Sequence, residues 1–229
     1  DVTNYVMLEM GQPLHAFDYD VLVRRSLGTP TIITRLPERG ERVTTLDGVQ
    51  REPDKFTILV TDTSGVLSIG GIMGGRDSEV SDGTRNVLLE AASWNFINIR
   101  RSVQAQQLQS SEAGYRFSRG VHPEIAARSN CRAAELMRVL SGGIVCQGIV
   151  DEYPLPMDRL EIALPVSEVE RYLGITIPKA EIIGILEALE FQVDGRGLAL
   201  DITVPEHRLD IGEGVVGVAD LVEEIARVY

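Results

Sequence analysis

KFTILVTDTSGVLSIGGIMGG, residues 55–75, is the stretch that decides most about the fold. Two runs rich in β-branched and apolar residues, KFTILVTD and VLSI, predict strands, and the turn residues DTSG separate them. The stretch ends in GGIMGG, residues 70–75. These glycines either form a tight bend between strands or bring backbone N–H groups close to a small ligand. The residues alone leave both interpretations open.

Helices and further strands flank this stretch on both sides. The chain begins with DVTNYVMLEMG, which has apolar residues at helical spacing and a plausible stop at Gly11. Strands are predicted for TIITRL, NVLLEAASW and IVCQGIVDEY, and helices for NFINIRRSVQAQQLQ and HPEIAARSNCRAAELMRVL. Because sheets and helices follow one another without strict alternation, the pattern predicts an α+β fold with a mixed sheet-and-helix first domain.

A second, smaller domain is predicted after the proline-containing linker YPLPMD, residues 153–158. The domains are expected at residues 1–155 and 156–229. In the second, a strand in RLEIALP precedes two helices, PVSEVERYLG and PKAEIIGILEALEF. A hairpin in FQVDGRGLALDITV and a final helix, ADLVEEIARVY, follow. This order predicts a small winged-helix-like α+β domain.

Composition and charge exclude several classes of protein. The 229 residues carry a net charge of −12 with 44% hydrophobic residues, which is typical of a globular protein. No apolar run reaches the roughly 20 residues of a membrane span. Cys131 and Cys146 lack the spacing of a zinc ribbon or a disulfide framework, so a reducing cytoplasm is expected.

The negative charge is concentrated in the second domain. Residues 1–155 contain 16 basic and 19 acidic residues, whereas residues 156–229 contain 6 and 15. This balance argues against a nonspecific nucleic-acid binder. It predicts a structural or protein-docking role for the second domain, without DNA binding. Arg208 and Asp210 are expected to form a local ion pair there.

Few residues carry the signature of a known chemistry. The chain has three histidines and contains no GxSxG, HExxH or GxxxxGK[ST] motif, which excludes the usual hydrolase, metalloprotease and P-loop sites, and no metal site is predicted. His15 is expected in an ordered loop, where it either bonds to backbone or acts in a site. Glu90 ends an apolar strand, so burial is expected and the carboxylate needs a partner. That partner is either an arginine, such as Arg100 or Arg116, or a ligand hydroxyl.

Five motifs together point to a family: DVTNYVMLEMGQPLHAFD, GGIMGG, NVLLEAA, YRFSRGVHP and DLVEEIARVY. In this order they resemble the beta subunit of bacterial phenylalanyl-tRNA synthetase. Residues 1–155 resemble its B3/B4 editing region, and residues 156–229 resemble its B5 domain. The resemblance implies a segment of a longer subunit, without the catalytic core.

The activity implied by this resemblance is hydrolysis of tyrosine wrongly attached to tRNA(Phe). It would serve an enzyme that ligates phenylalanine to tRNA(Phe) with ATP and magnesium, alongside an alpha subunit. No cofactor is implied for this segment itself. The alternative is a non-catalytic module that positions tRNA or neighbouring domains.

The resemblance also implies roles for individual residues. His15 would position or activate water or bind the terminal adenosine, and Asn4, with Thr3, would help to hold the amino acid or water. Glu90 would receive the tyrosine hydroxyl. The remaining positions implied to shape the pocket are Gly71, Gly74, Ala113 and Ser111, the last of which stands where the family usually has threonine. No side-chain nucleophile is implied, because the ester is already activated.

Overall fold

The chain divides into two units, Asp1–Asp151 and Glu152–Tyr229, in a computed structural model that describes residues 1–26, 28–197 and 199–229. The boundary predicted from sequence, at residues 155/156, lies slightly later in the same stretch. Helices and strands occur in both units, so the α+β class predicted from sequence is confirmed.

The first unit combines small antiparallel sheets with helices. Its helices are α1 (Val2–Met10), α2 (Tyr19–Ser26), α3 (Phe96–Ala105), α4 (Glu112–Phe117) and α5 (Glu124–Ser141). Its strands are β1 (Leu14–Asp18), β2 (Ile33–Arg35), β3 (Val43–Thr44), β4 (Gln50–Arg51), β5 (Leu59–Asp62), β6 (Gly65–Ile69), β7 (Met73–Gly74) and β8 (Val87–Ala91).

The stretch KFTILVTDTSGVLSIGGIMGG, residues 55–75, supplies most of the largest sheet of this unit. Its strands β5, β6 and β7 form an antiparallel meander that β2 completes, in the order β2-β5-β6-β7. Leu59 and Ile69 pack with Ile99 of α3 and Phe117 of α4. This apolar cluster fixes α3 and α4 against one side of the sheet, because burying apolar surface stabilises the packed arrangement.

The first helix of this unit ends where the sequence predicts. Helix α1 stops at Gly11, which has a left-handed backbone (φ 75°) and donates its N–H to the carbonyl of Met7, as expected for a helix C-cap.

The strand predicted for IVCQGIVDEY is wrong: no helix or strand lies between Ser141 and Glu161. The side chains of Ile144 and Val150 are 97% and 96% exposed. The β-branched pattern indicates only a propensity, and a strand needs a neighbour to bond to.

The second unit folds around one apolar cluster. It contains β9 (Glu161–Pro165), α6 (Val166–Leu173), α7 (Lys179–Ala188), β10 (Gln192–Asp194), β11 (Ala199–Thr203) and α8 (Gly214–Val228). The strands form an antiparallel sheet in the order β10-β11-β9. Three helices with a hairpin agree with the predicted winged-helix-like arrangement. Leu198, part of the predicted hairpin, lies outside the described residues.

Arg208 forms the predicted ion pair with Asp210, with N–O distances of 2.8 and 2.6 Å. The same guanidinium also donates to Glu224 of α8 at 2.8 Å. The pair therefore belongs to a network that attaches the loop before α8 to this helix.

Among the described residues, no helix is long and apolar enough to cross a membrane.

Candidate functional site

Two strands that are distant in sequence bring the main candidate residues together. Strands β1 and β8 pair antiparallel, and His15 lies directly opposite Glu90. Directly opposed residues of an antiparallel pair point to the same face, so the two side chains are neighbours. The loop expected for His15 is wrong. Residues 14–18 form a strand because β8, far along the chain, provides their hydrogen-bonding partner.

The glycine-rich segment forms the bend between two strands and also lines a cavity. Residues 70–72 connect β6 to β7, and the N–H of Ile72 donates to the carbonyl of Ile69 at 3.1 Å. Gly71 has φ +69°, and a Cβ there would lie 2.6 Å from Cδ1 of Trp94. A Cβ on Gly74 would collide with Cε1 of His15. The segment is therefore the tight bend between strands, and the approach of its backbone N–H groups to a small ligand stays a prediction.

A cavity of about 390 Å³, counting the space open to solvent, lies between the β1–β8 ribbon, the glycine segment and α4. Five of the residues predicted from sequence line it: His15, Gly71, Gly74, Glu90 and Ala113. The structure thus gathers most of the predicted residues at one place.

Aromatic walls of the cavity were missed by the sequence reasoning. Trp94 and Phe117 line it and meet edge to face, with ring centroids 6.5 Å apart. A tryptophan four residues after Glu90 was the available signal. Its contribution could not be recognised because nothing in the local pattern shows which side of the chain faces the cavity.

Ser111 lies beside the cavity but is not among its lining residues. Its hydroxyl donates to the carbonyl of Ile72 at 2.5 Å and accepts from the N–H of Gly114 at 3.0 Å. It therefore caps α4 and attaches this helix to the glycine segment. Through this contact Ser111 holds Ala113 at the cavity wall.

Asn4 and Thr3 are placed on α1, away from the lining residues. The Asn4 side chain is exposed and donates to the Asp1 carboxylate at 3.3 Å. Thr3 is half-buried. The structure does not bring either residue into the cavity, and their roles stay predictions.

Glu90 is a carboxyl group with an unusual environment. Its Oε2 is buried, and no group in the described part of the chain forms a hydrogen bond to it. Burial disfavours the charged form and raises the pKa of Glu90 to about 7. The arginine partners considered from sequence are engaged elsewhere: Arg100 donates to Ser118 and Arg116 pairs with Glu112. Glu90 is thus left able to bond to a ligand.

His15 is perturbed in the opposite direction. Its ring packs edge to face on Phe17, with centroids 4.4 Å apart, and burial lowers the pKa of His15 to about 4. The imidazole is therefore neutral at pH 7. Its Nε2 is buried and has no hydrogen-bond partner within the described ranges. The cavity consequently contains a neutral imidazole beside a carboxyl group that titrates near neutrality.

Gln12 supports this arrangement and was not singled out from sequence. The side chain is fully buried, and its Nε2 donates to the carbonyls of Pro13 and Ala92, both at 2.9 Å. These bonds hold the start of β1 to the end of β8, next to the opposed His15 and Glu90.

In the described residues, no group of three or more histidine, cysteine or acidic side chains could hold a metal ion.

Comparison with known families gives the class of protein. Residues 1–142 match the family model of the B3/4 domain, which covers the whole cavity. Residues 162–229 match that of the tRNA synthetase B5 domain. The chain therefore combines a B3/4 domain with a tRNA synthetase B5 domain.

Curated relatives define the family more closely. The chain is 41% identical over 233 residues to the phenylalanine–tRNA ligase beta subunit of Syntrophus aciditrophicus, and 42% identical over 229 residues to that of Moorella thermoacetica. The chain thus belongs to the phenylalanyl-tRNA synthetase beta-subunit family, of which it contains the B3/4 and B5 domains. The alignments include all of this chain and 28% and 27% of the relatives.

A solved structure has the same fold. It is an N-terminal fragment of the phenylalanyl-tRNA synthetase beta subunit from Pyrococcus horikoshii, with a TM-score of 0.50 and 17% identity. The match covers 99% of this chain and 64% of that one. At this identity the likeness concerns the fold alone.

Proposed function

We propose that the cavity of the first unit hydrolyses tyrosine from wrongly charged tRNA(Phe). The observation that carries the proposal is the buried Oε2 of Glu90, a residue of the cavity wall, which has no hydrogen-bond partner in the part of the chain that the structure describes. A synthetase pocket built for phenylalanine cannot strongly reject an isostere that only adds a hydroxyl, so a second site has to remove the wrong product.

Glu90 would select tyrosine over phenylalanine. A tyrosine hydroxyl that hydrogen-bonds to Oε2 satisfies a buried polar atom, whereas phenylalanine leaves this atom unpaired. Near neutral pH the Glu90 carboxyl is present in both protonation states, because burial raises its pKa to about 7. The ionised form accepts a hydrogen bond from the phenolic O–H, and the protonated form can donate one to the phenolic oxygen. Gly71 and Gly74 would allow the side chains of Trp94 and His15 to pack closely against the backbone at the cavity wall, since a Cβ at either position would collide with them.

His15 would position the water that attacks the ester. A neutral imidazole offers one nitrogen as donor and the other as acceptor. His15 lines the cavity, and its Nε2 has no hydrogen-bond partner among the described residues. The water oxygen adds to the ester carbonyl carbon, and the bond from this carbon to the ribose oxygen breaks. The ribose oxygen takes up a proton, which leaves free tyrosine and uncharged tRNA. A pKa of about 4 makes His15 a hydrogen-bonding group rather than a strong base.

The setting of this reaction is part of the same proposal. In the longer subunit, the cavity would receive the 3′ end of tRNA(Phe) in the cytoplasm. The ligation of phenylalanine, with ATP and magnesium, would take place outside this segment and together with an alpha subunit. Asn4 and Thr3, on the helix that leads into β1, would contribute only if the bound tRNA end extended to them.

The test compares the release of labelled tyrosine and phenylalanine from charged tRNA(Phe). We expect Glu90→Ala to lower kcat/KM for the tyrosyl ester by about a hundredfold while leaving the phenylalanyl ester nearly unchanged, because only tyrosine loses a hydrogen bond. His15→Ala should slow the release of both amino acids by lowering kcat. Glu79→Gln, which changes an exposed acid of the same unit, is the control.

Two results would contradict the proposal. One is unchanged discrimination between the two esters in Glu90→Ala. The other is an unmodified chain that releases no tyrosine, which would favour the non-catalytic module that positions tRNA or neighbouring domains.

A further inference from the structure

The outer side of α3 and α4 carries a cluster that the cavity does not use. Three arginine side chains are stacked on three aromatic rings at the surface, and Lys55 also lies over one of these rings, that of Phe56. We call this the arginine–aromatic surface, and its members are Phe56, Phe96, Arg100, Arg101, Tyr115 and Arg119, all of which are exposed.

The stacking geometry is well defined. The guanidinium of Arg119 lies 3.5 Å from the centroid of the Tyr115 ring, and that of Arg100 lies 5.0 Å from the centroid of the Phe96 ring. The two pairs adjoin each other, because Nε of Arg100 donates at 2.6 Å to the carbonyl of Ser118, the residue before Arg119. Arg101 extends the surface with its guanidinium 5.0 Å from the ring centroid of Phe56.

Charge sets this surface apart from the rest of an acidic chain. Residues 95–120 contain four arginines and a single carboxylate, Glu112, which pairs with Arg116 at 2.7 Å. Within the described residues, Arg100, Arg101 and Arg119 form no ion pair. Their free N–H groups are therefore available to an external anion. The net charge of the whole chain is −12, so this surface is a local exception.

Exposed rings beside free guanidinium groups favour one kind of partner. Phosphate oxygens accept hydrogen bonds from guanidinium, and unpaired bases stack on aromatic rings and on guanidinium planes. An acidic protein surface would use the charges but would gain little from three exposed rings. The combination therefore fits a single strand of RNA.

The surface is also close to the cavity along the fold. Ala113 and Phe117 line the cavity from one side of α4, and Tyr115 lies between them in sequence, on the opposite side of this helix. Trp94 lines the cavity two residues before Phe96. The surface and the cavity are thus separated by about one helix diameter, on the order of 10 Å.

We infer that the arginine–aromatic surface binds the unpaired RNA strand next to the nucleotide whose ester enters the cavity. Arg100 and Arg119 contact its phosphates, and its bases stack at Phe96 and Tyr115. This inference rests on the proposed function for the identity of the strand. Its binding contacts are separate from the groups that select and hydrolyse the ester.

The experiment measures binding of a short, 5′-labelled single-stranded RNA ending in CCA to the 229-residue chain by fluorescence anisotropy. The double variant Arg100→Gln/Arg119→Gln should weaken binding about tenfold. It should also lower the slope of log affinity against log salt by about 1.4, since each phosphate contact contributes about 0.7 for a single strand. The matched control is Arg39→Gln/Arg85→Gln, which removes the same charge from exposed sites of the same unit and should bind as the unmodified chain does.

A second pair of variants tests the rings. Phe96→Ala and Tyr115→Ala should each weaken RNA binding about tenfold while leaving the binding of inorganic polyphosphate unchanged, because polyphosphate has no bases to stack. Equal RNA affinity of Arg100→Gln/Arg119→Gln and its control would overturn the inference. So would equal losses for RNA and polyphosphate in the ring variants, which would indicate a general anion surface.

Glu90→Ala separates this inference from the proposed function. It should bind the uncharged RNA normally and fail only in the release of tyrosine. If Glu90→Ala discriminates normally and the arginine variant loses RNA binding, the editing proposal fails and the surface remains. If the arginine variant binds RNA normally while tyrosine release depends on Glu90, the surface inference fails alone.

Discussion

Replacing Glu90 by glutamine should change the pH dependence of the stability of the first unit. Burial raises the pKa of Glu90 from 4.5 to about 7, so the folded state holds this proton more tightly than the unfolded state does. The contribution of Glu90 to stability is fully present below pH 4.5 and is lost as the pH rises through about 7.

His15 contributes with the opposite sign. Burial lowers the pKa of His15 from 6.5 to about 4, so the unfolded state binds this proton more readily. Its contribution is present above pH 6.5 and is lost as the pH falls towards 4. Between about pH 4.5 and 6.5, the two slopes cancel in the unmodified protein.

The size of the effect follows from the two pKa values. One pH unit corresponds to about 1.4 kcal/mol for a group that is protonated in only one of the two states. Between pH 5 and 6.5, the free energy of unfolding of Glu90→Gln should therefore rise by about 1.4 kcal/mol per pH unit relative to the unmodified chain. His15→Gln should show the reverse, a fall of about 1.4 kcal/mol per pH unit.

Urea denaturation followed by tryptophan fluorescence measures this directly. Trp94 is the single tryptophan of the chain and lines the cavity, so its emission reports on the first unit alone. Glu79→Gln, at an exposed site, should give a curve parallel to that of the unmodified chain. Parallel curves for Glu90→Gln and His15→Gln as well would refute the opposed titration of the buried pair.

Three further changes probe packing and charge. Gly74→Ala should destabilise the first unit by about 1–3 kcal/mol through overpacking, and an NMR titration should show the pKa of His15 rising from about 4 towards 6.5 as its ring is displaced. Ser111→Ala removes the cap of α4 and should lower the free energy of unfolding by about 1 kcal/mol in the same urea assay. Glu224→Gln should destabilise the second unit by about 2 kcal/mol at pH 7, measured by circular dichroism, because Arg208 loses a charged acceptor. The pKa of Glu224 is lowered to about 2, chiefly by hydrogen bonds from arginines, so this loss should shrink as the pH falls below 4.5. A loss that stays constant down to pH 3 would contradict the role of the carboxylate.

Much of the local structure could be predicted from short-range patterns. The strands around DTSG, the stop of α1 at Gly11 and the hairpin of the second unit depend on the residues that form them. Ser111 is predicted as a site position only through the family resemblance. Its actual contacts, to Ile72 and Gly114, depend on how α4 meets the glycine segment, and no local pattern contains this information.

The sequence by itself determined the α+β class, the stop of helix α1 and the family, because helix stops, turn residues and motifs are local properties of the chain. Only the tertiary structure decided that His15 is a strand residue opposite Glu90 and that IVCQGIVDEY is unpaired. Strand pairing depends on partners that are distant in sequence. The tertiary structure also decided the protonation of His15 and Glu90, because their pKa values follow from burial that the fold alone creates.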